Sequence, residues 1–314
     1  MATTAENSIS IDQNIDPESN HNNHNNNNNN RQQQQHLNTN SDREWKKHFY
    51  SRIKNNLWLF GFLGSFFTTF ICIMPYALTY QNGHYHPIFP YVSDSASFPP
   101  VASYFSQSLD MIAIIFAITV WARYKQIKYY LNNNSFTDSL NKNNDQSSSS
   151  SYNLQLLYRL NLYFLFFGLL SSFGLVFIGN FRTVENMTGH LIGVTLIFSF
   201  IPIILLIQIY LIEQLYRYNQ IETRAISLII ITIINIISTF ISSLTALIAV
   251  LYHGTPFKYW DNNFRLYWSS EMDGYHWHLT STVAEWIAIV SFAPILFSIS
   301  KRIRSFKHWD QIQF

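Results

Sequence analysis

The sequence predicts an all-α polytopic membrane protein: a six-helix transmembrane bundle preceded by a disordered asparagine-rich tail. Three observations predict it. Only 12% of the 314 residues are charged, against roughly a quarter in soluble domains, while 48% are hydrophobic and 17% aromatic. Polar residues crowd into the first 44 or so positions, and six apolar runs follow, each near the ~20 residues needed to cross ~30 Å of hydrocarbon. Almost no charge falls inside those runs, which argues against core helices of a large soluble protein. A formal net charge of +2, with basic residues in short clusters beside apolar runs, excludes nucleic acid as a partner. The single cysteine, Cys72, lies within the first run, so no intrachain disulfide can form.

Residues 1–44 carry HNNHNNNNNNRQQQQH at their centre and offer no hydrophobic periodicity to offset ordering entropy, so they read as a disordered cytosolic tail. His21, His24 and His36 could form a metal tract, but incidental histidines in a polar low-complexity run explain them better. No apolar h-region follows Met1, so the first span is expected to serve as the targeting signal. The membrane domain covers about 45–309, with spans near 57–79, 104–122, 156–179, 187–210, 225–251 and 280–300. Pro75, Pro202 and Pro294 fall within or beside these runs, where neighbouring helices can satisfy the freed carbonyls. Between the second and third spans, NNNSFTDSLNKNNDQSSSSS reads as a flexible cytosolic loop over 132–153. Lysine and arginine set the orientation. Arg43, Lys46, Lys47, Arg52 and Lys54 precede the first span, and Arg123, Lys125, Lys128, Lys142 and Arg159 surround the second connection. Arg217 and Arg224 mark the fourth, and Lys301, Arg302, Arg304 and Lys307 follow the sixth span. The remaining connections hold only Arg182, Lys258 and Arg265, so both termini are expected in the cytosol.

Gly61, Gly64, Ser65 and Thr68 in the first span, and Gly168 and Ser172 in the third, recur at three- and four-residue spacing, which lets helix backbones approach closely. The closing KRIRSFKHW resembles an interfacial anchor for anionic lipid, although topology marking explains it equally well. Ionisable residues inside the runs are the informative departures, because each costs at least ~2.5 kcal/mol at mid-membrane. Asp110, His190 and Glu285 all fall within roughly 5–10 Å of the same outer boundary at ~1.5 Å per residue, and could form one polar layer. Asn180, Arg182, Glu185, His276 and His278 would sit just above it. Three readings are open: a hydrogen-bond cluster that fixes packing, a lipid-headgroup or small-ligand site facing the lumen, or a metal-dependent membrane hydrolase. A proton-exchanging pair of Glu285 and His190 is a special case of the second. No spaced ligand motif such as HExxH accompanies the third, and the residues themselves imply no catalytic constellation, metal or cofactor.

The first outer loop, PYVSDSASFPP, brings Ser93 and Asp94 together with Pro99 and Pro100. A Ser-Asp pair among prolines favours a side-chain-capped turn, and the prolines stiffen the return to the membrane. Asp94 could instead meet an ion or cationic ligand. Asn186-Met187-Thr188 fits a glycosylation sequon too close to the membrane for occupancy to be expected. This loop, followed in order by WARYKQ, GNFRTVENMTGHLIG and HLTSTVAEWIAIVSFAPILFSISKRIRSF, resembles the pattern of the DRAM family of autophagy modulators, within the wider Frag/DRAM/Sfk group. The likeness runs from about Glu44 to Trp309; the Asn-rich tail and the serine-rich loop depart from it. It implies a non-enzymatic six-span regulator of autophagy and traffic in lysosomal or endosomal membranes. The Sfk branch implies instead a plasma-membrane adaptor for a phosphatidylinositol 4-kinase complex, a cytosolic protein partner, and the Frag branch implies lipid remodelling. Ser93, Asp94, Pro99, Pro100, His190 and the Glu285-Trp286 pair are the positions that carry over, without assigned roles.

Overall fold

Six long helices account for the six apolar runs in the computed structural model, which describes residues 44–81, 89–133, 147–219, 222–254, 266 and 268–312. The expected disordered tail and most of the expected flexible loop lie outside those residues. The chain divides into two compact units, Met1–Ile53 and Lys54–Phe314. In the first, the described residues are helical; in the second, the spans are Trp58–Gln81, Val101–Leu131, Asn153–Asn180, Met187–Tyr218, Ile226–His253 and Tyr275–Ser305. A one-turn helix, Val92–Ser95, precedes the second span, and a 3-10 turn, Trp309–Gln311, follows the sixth.

Several helices outrun the apolar sequences that announce them. The second reaches Leu131, and the helix carrying the third span begins at Ser147, inside the stretch expected to be loop. A 31-residue helix is about 46 Å long, so it stands well clear of a ~30 Å hydrocarbon layer. Packing explains the extension. Ile127 and Leu131 join Leu157, Leu211 and Leu215 in an apolar cluster at the end of the bundle, where leucines continue the helical period after the continuous apolar run has stopped.

The fifth span shows how the interior is built. Its exposed face is apolar, with Ile226, Ile230, Ile233, Ile237, Phe240, Leu244 and Leu251, while its buried face carries Thr232, Asn235, Ser238, Thr239, Ser242 and Thr245. This reverses the soluble pattern and suits a helix surrounded by lipid. Asn235 donates to the Ala288 carbonyl (2.8 Å) and to Ser291 Oγ (3.0 Å), tying the fifth span to the sixth. Small residues do the same elsewhere. Gly61 faces Ser300, Gly168 faces Val120, and Ser172 donates to the Ala113 carbonyl. The third and fourth spans cross closely at Gly174 and Gly193, where a Cβ on Gly193 would stand 2.8 Å from the Gly174 carbonyl oxygen.

Spans adjacent in sequence pack together, and the sixth closes onto the first, leaving the fourth and fifth as the one sparsely packed seam of the ring. The described parts of the odd connections meet at one end. At the other, Arg123 and Arg302 both grip Glu222 from the fourth connection, at 2.7 and 2.5 Å. Arg123 also donates to Gln126 (2.7 Å) and Gln208 (3.2 Å), and Gln126 donates to the Arg302 carbonyl (2.9 Å), so four segments share one buried network. Arg123 and Arg302 are therefore interior groups as well as markers of orientation. The segment expected to anchor at the interface folds inward too. Phe306, Trp309 and Ile312 are core residues, with Trp309 1% exposed, while Lys301, Arg304 and Lys307 stay outside. The apolar period through Ile299, Ile303 and Phe306 carries those aromatics onto the bundle.

Glu222→Ala leaves two buried guanidinium groups without their shared carboxylate, and unfolding in mixed micelles should show a loss of about 3–5 kcal/mol. Gly193→Ala forces the third and fourth spans apart, and the same assay should register about 1–3 kcal/mol.

Candidate functional site

At the odd-connection end the first connection turns into the bundle. Val92, Asp94, Ser95, Ala96 and Ser97 are all buried. Such a segment must have its backbone polar groups met by protein, and three other parts of the chain supply the partners. On the sixth span, His278, Ser281 and Glu285 recur at helical spacing on one face. Glu285 Oε2 accepts the Val92 amide proton (2.9 Å), and the neighbouring Trp286 indole donates to the Pro90 carbonyl (2.9 Å). Tyr91 donates to Ser281 Oγ (2.8 Å) and meets the His278 ring edge-on, and that ring stacks on Trp268 at 4.3 Å. From the first span Thr79 donates to the Ser95 carbonyl (2.5 Å). From the third connection Thr183 donates to Asp94 Oδ1 (3.1 Å) and lies 2.8 Å from Ser97 Oγ. Within the loop, Ser95 Oγ donates back to the Val92 carbonyl (2.6 Å), closing the single turn of helix. A cis Pro99-Pro100 bond then leads into the second span.

Burial raises the Tyr91 hydroxyl far above the usual tyrosine range, and the Glu285 and Asp94 carboxylates add to the rise, although the bond to Ser281 opposes it. Tyr91 therefore remains a proton donor to Ser281 at every physiological pH.

Beneath and beside this plug lie two cavities. The larger, about 550 Å³, opens between the start of the fourth span and the end of the fifth, against the plug residues Tyr91, Ser93 and Asp94. The smaller, about 130 Å³, runs inward past Thr68, Phe105, Ile289 and Asn235. Ser93, His190, Val194, Phe198 and Glu285 line both. His190 and Glu285 are thus brought to the same chamber. Asp110 is not among either lining; it accepts from Asn180 Nδ2 (2.8 Å) between the second and third spans. His190 is held by an Nδ1 bond to the Phe181 carbonyl (2.9 Å). Ser93 and Asp94 belong to the plug and Trp286 clamps it, while Pro99 and Pro100 lie at its exit.

Of the residues placed above the layer, His278 joins the cavity wall, whereas His276 is exposed and Arg182 pairs with Glu185 at the surface. Asn186 accepts from the Gly189 amide (2.9 Å), capping the fourth span. No group of three His, Cys, Asp or Glu side chains able to hold a metal ion occurs among the described residues. Tyr91, Thr183, Asn235 and Ser281 escaped the sequence reading. Asn235 alone carried a visible signal, as an amide inside an isoleucine-rich run.

Residues 56–301 match the family model described as the Frag1/DRAM/Sfk1/Cwh43P N-terminal domain. The DNA damage-regulated autophagy modulator protein 2 of Rattus norvegicus is 28% identical over 226 residues, covering 72% of this chain and 75% of the relative. That of Bos taurus is 26% identical over 220 residues, covering 70% and 74%. The modulator protein 1 of Homo sapiens is 23% identical over 221 residues, covering 70% and 79%. No solved structure matches. With the family model spanning all six helices from the first through most of the sixth, the chain belongs to the Frag1/DRAM/Sfk1/Cwh43P family and is of the DRAM type.

Proposed function

We propose that this protein is a non-enzymatic regulator of autophagy and membrane traffic in endolysosomal membranes. The relatives' names supply the process, and the plugged end of the bundle carries the structural side of the reading. There the polar side chains expected to form a site are engaged in holding a loop. Glu285 receives the Val92 amide, Asp94 receives Thr183, and His190 holds Phe181. A hydrolase needs its acid, base or metal ligands directed at a shared reacting atom. A regulator needs a folded element whose position a ligand or partner can bias, and the plug is such an element. The clustering of basic residues supports placing both termini in the cytosol and the plug on the lumenal side.

A tagged copy, expressed in cells lacking the native protein, should localise to endolysosomes and restore turnover of autophagic cargo. Cell-surface localisation with unchanged cargo turnover would favour the lipid-kinase adaptor reading, and lipid hydrolysis by the pure protein would overturn the non-enzymatic one. Freeing the plug by Glu285→Ala together with Trp286→Ala should abolish rescue, whereas Glu285→Gln, which keeps an acceptor for Val92, should retain it.

A further inference from the structure

The fourth and fifth spans are packed differently at their two ends. These helices are joined at one end by a short connection, where Ile201, Ile204, Leu205 and Ile212 share a core with Ala225 and Leu228. Toward the other end they separate, and the larger cavity fills the divergence. Its wall on the fourth span is mainly Leu191, Val194 and Phe198, and on the fifth Ala246, Leu247 and Val250, with Ser242 and Ser243 nearer its inner end. Apolar walls in a gap between two lipid-facing helices suit a hydrocarbon body, and about 550 Å³ falls within the ~300–1,000 Å³ of ordinary small-ligand pockets.

The head-end chemistry selects further. Glu285 and Asp94 line the chamber, with no lysine or arginine among the described lining residues. Among the described residues the Val92 amide is the only protein donor bonded to the Glu285 carboxyl. Deeper in, Asn235 is 3% exposed and uses its amide nitrogen on the sixth span, while its Oδ1 is buried with no partner. The described lining thus presents carboxyl and amide oxygens together with the His190 and His278 imidazoles, and no permanent cation. An anionic headgroup would lie unpaired beside carboxyl oxygens and be disfavoured, whereas hydroxyl or ammonium protons would be bound.

We propose that the cavity between the fourth and fifth spans binds a single-chain or sterol-like lipid whose uncharged or cationic head donates hydrogen bonds to Glu285, with Asn235 as a deeper acceptor. The hydrocarbon body enters sideways from the bilayer through the seam, and the plug roofs the head.

Photocrosslinking on the full-length protein in nanodiscs tests this. Three clickable probes are compared: a long-chain amino alcohol, a sterol, and a lysophosphatidate with a tail matching the amino alcohol. The expected result is labelling within residues 187–198 or 239–250 by the amino alcohol or the sterol, competed by the unlabelled lipid, with the lysophosphatidate about tenfold weaker or worse. If the amino alcohol is the ligand, Glu285→Gln lowers its labelling about tenfold; if the sterol is, Glu285→Gln leaves labelling nearly unchanged because the amide oxygen still accepts. Ala246→Trp fills the cavity and should abolish labelling in protein that elutes as a folded species, with Leu191→Trp as the alternative should the first variant not fold. Equal labelling by all three probes, stronger labelling by the lysophosphatidate, labelling confined to other segments, or labelling unaffected by a folded tryptophan variant would overturn the assignment.

Discussion

Lipid tails are as apolar as leucine, so burial of greasy surface does little to hold membrane helices together, and close packing and interhelical hydrogen bonds must do it. This constraint accounts for the arrangement of the whole bundle. It places Thr, Ser and Asn on the inward face of the fifth span and isoleucines on its outward face. It puts glycines where backbones cross, and it explains why a segment as polar as Val92–Ser97 is found inside with the Val92 amide, the Ser95 carbonyl and the Ser95 and Ser97 hydroxyls partnered. At the opposite end it requires the Arg123–Glu222–Arg302 network to remain complete, since a buried charge without its counter-charge costs far more than the pair contributes.

The two ends of the bundle therefore differ in kind. The even-connection end is closed by charge and by the returning Phe306 and Trp309. The odd-connection end is closed by a loop carried on a few hydrogen bonds from the first span, the third connection and the sixth span. Beside it the fourth and fifth spans diverge, so the sparsely packed seam adjoins the polar plug. Elements that respond to ligands are drawn from such low-stability regions. A ligand that reaches this protein from the bilayer would find its natural point of action there.

Much of this was legible in the chain. Six runs of bilayer length fixed the number of spans because helix rise is constant, and Gly61, Gly64, Thr68 and Ser172 announced close packing by their spacing. Position along each helix was legible for the same reason, and His190 and Glu285 line one chamber. Rotation about the helix axis was not. Asp110 was expected in the same layer, but its helix turns it toward Asn180, and which way a helix turns depends on its neighbours. Gly174 and Gly193 are each unremarkable until their crossing brings them together. Arg123 and Arg302 read as orientation signals because charge counts do not distinguish a solvated guanidinium from one enclosed by Glu222. The inward fold of PYVSDSASFPP could not be deduced locally, since its partners Glu285 and Trp286 lie more than half the chain away.

The first connection folds into the bundle mouth and is held there by the third. Cys72 is the only cysteine, so a Cys72→Ser background permits a clean test with Ser97→Cys and Thr183→Cys, whose native hydroxyls lie 2.8 Å apart. Mild oxidation of this double variant in intact membranes should form an intrachain disulfide in nearly every molecule, seen as loss of maleimide labelling after denaturation and its return on reduction. Two thiols that stay free under oxidation, in protein that still folds, would contradict the account.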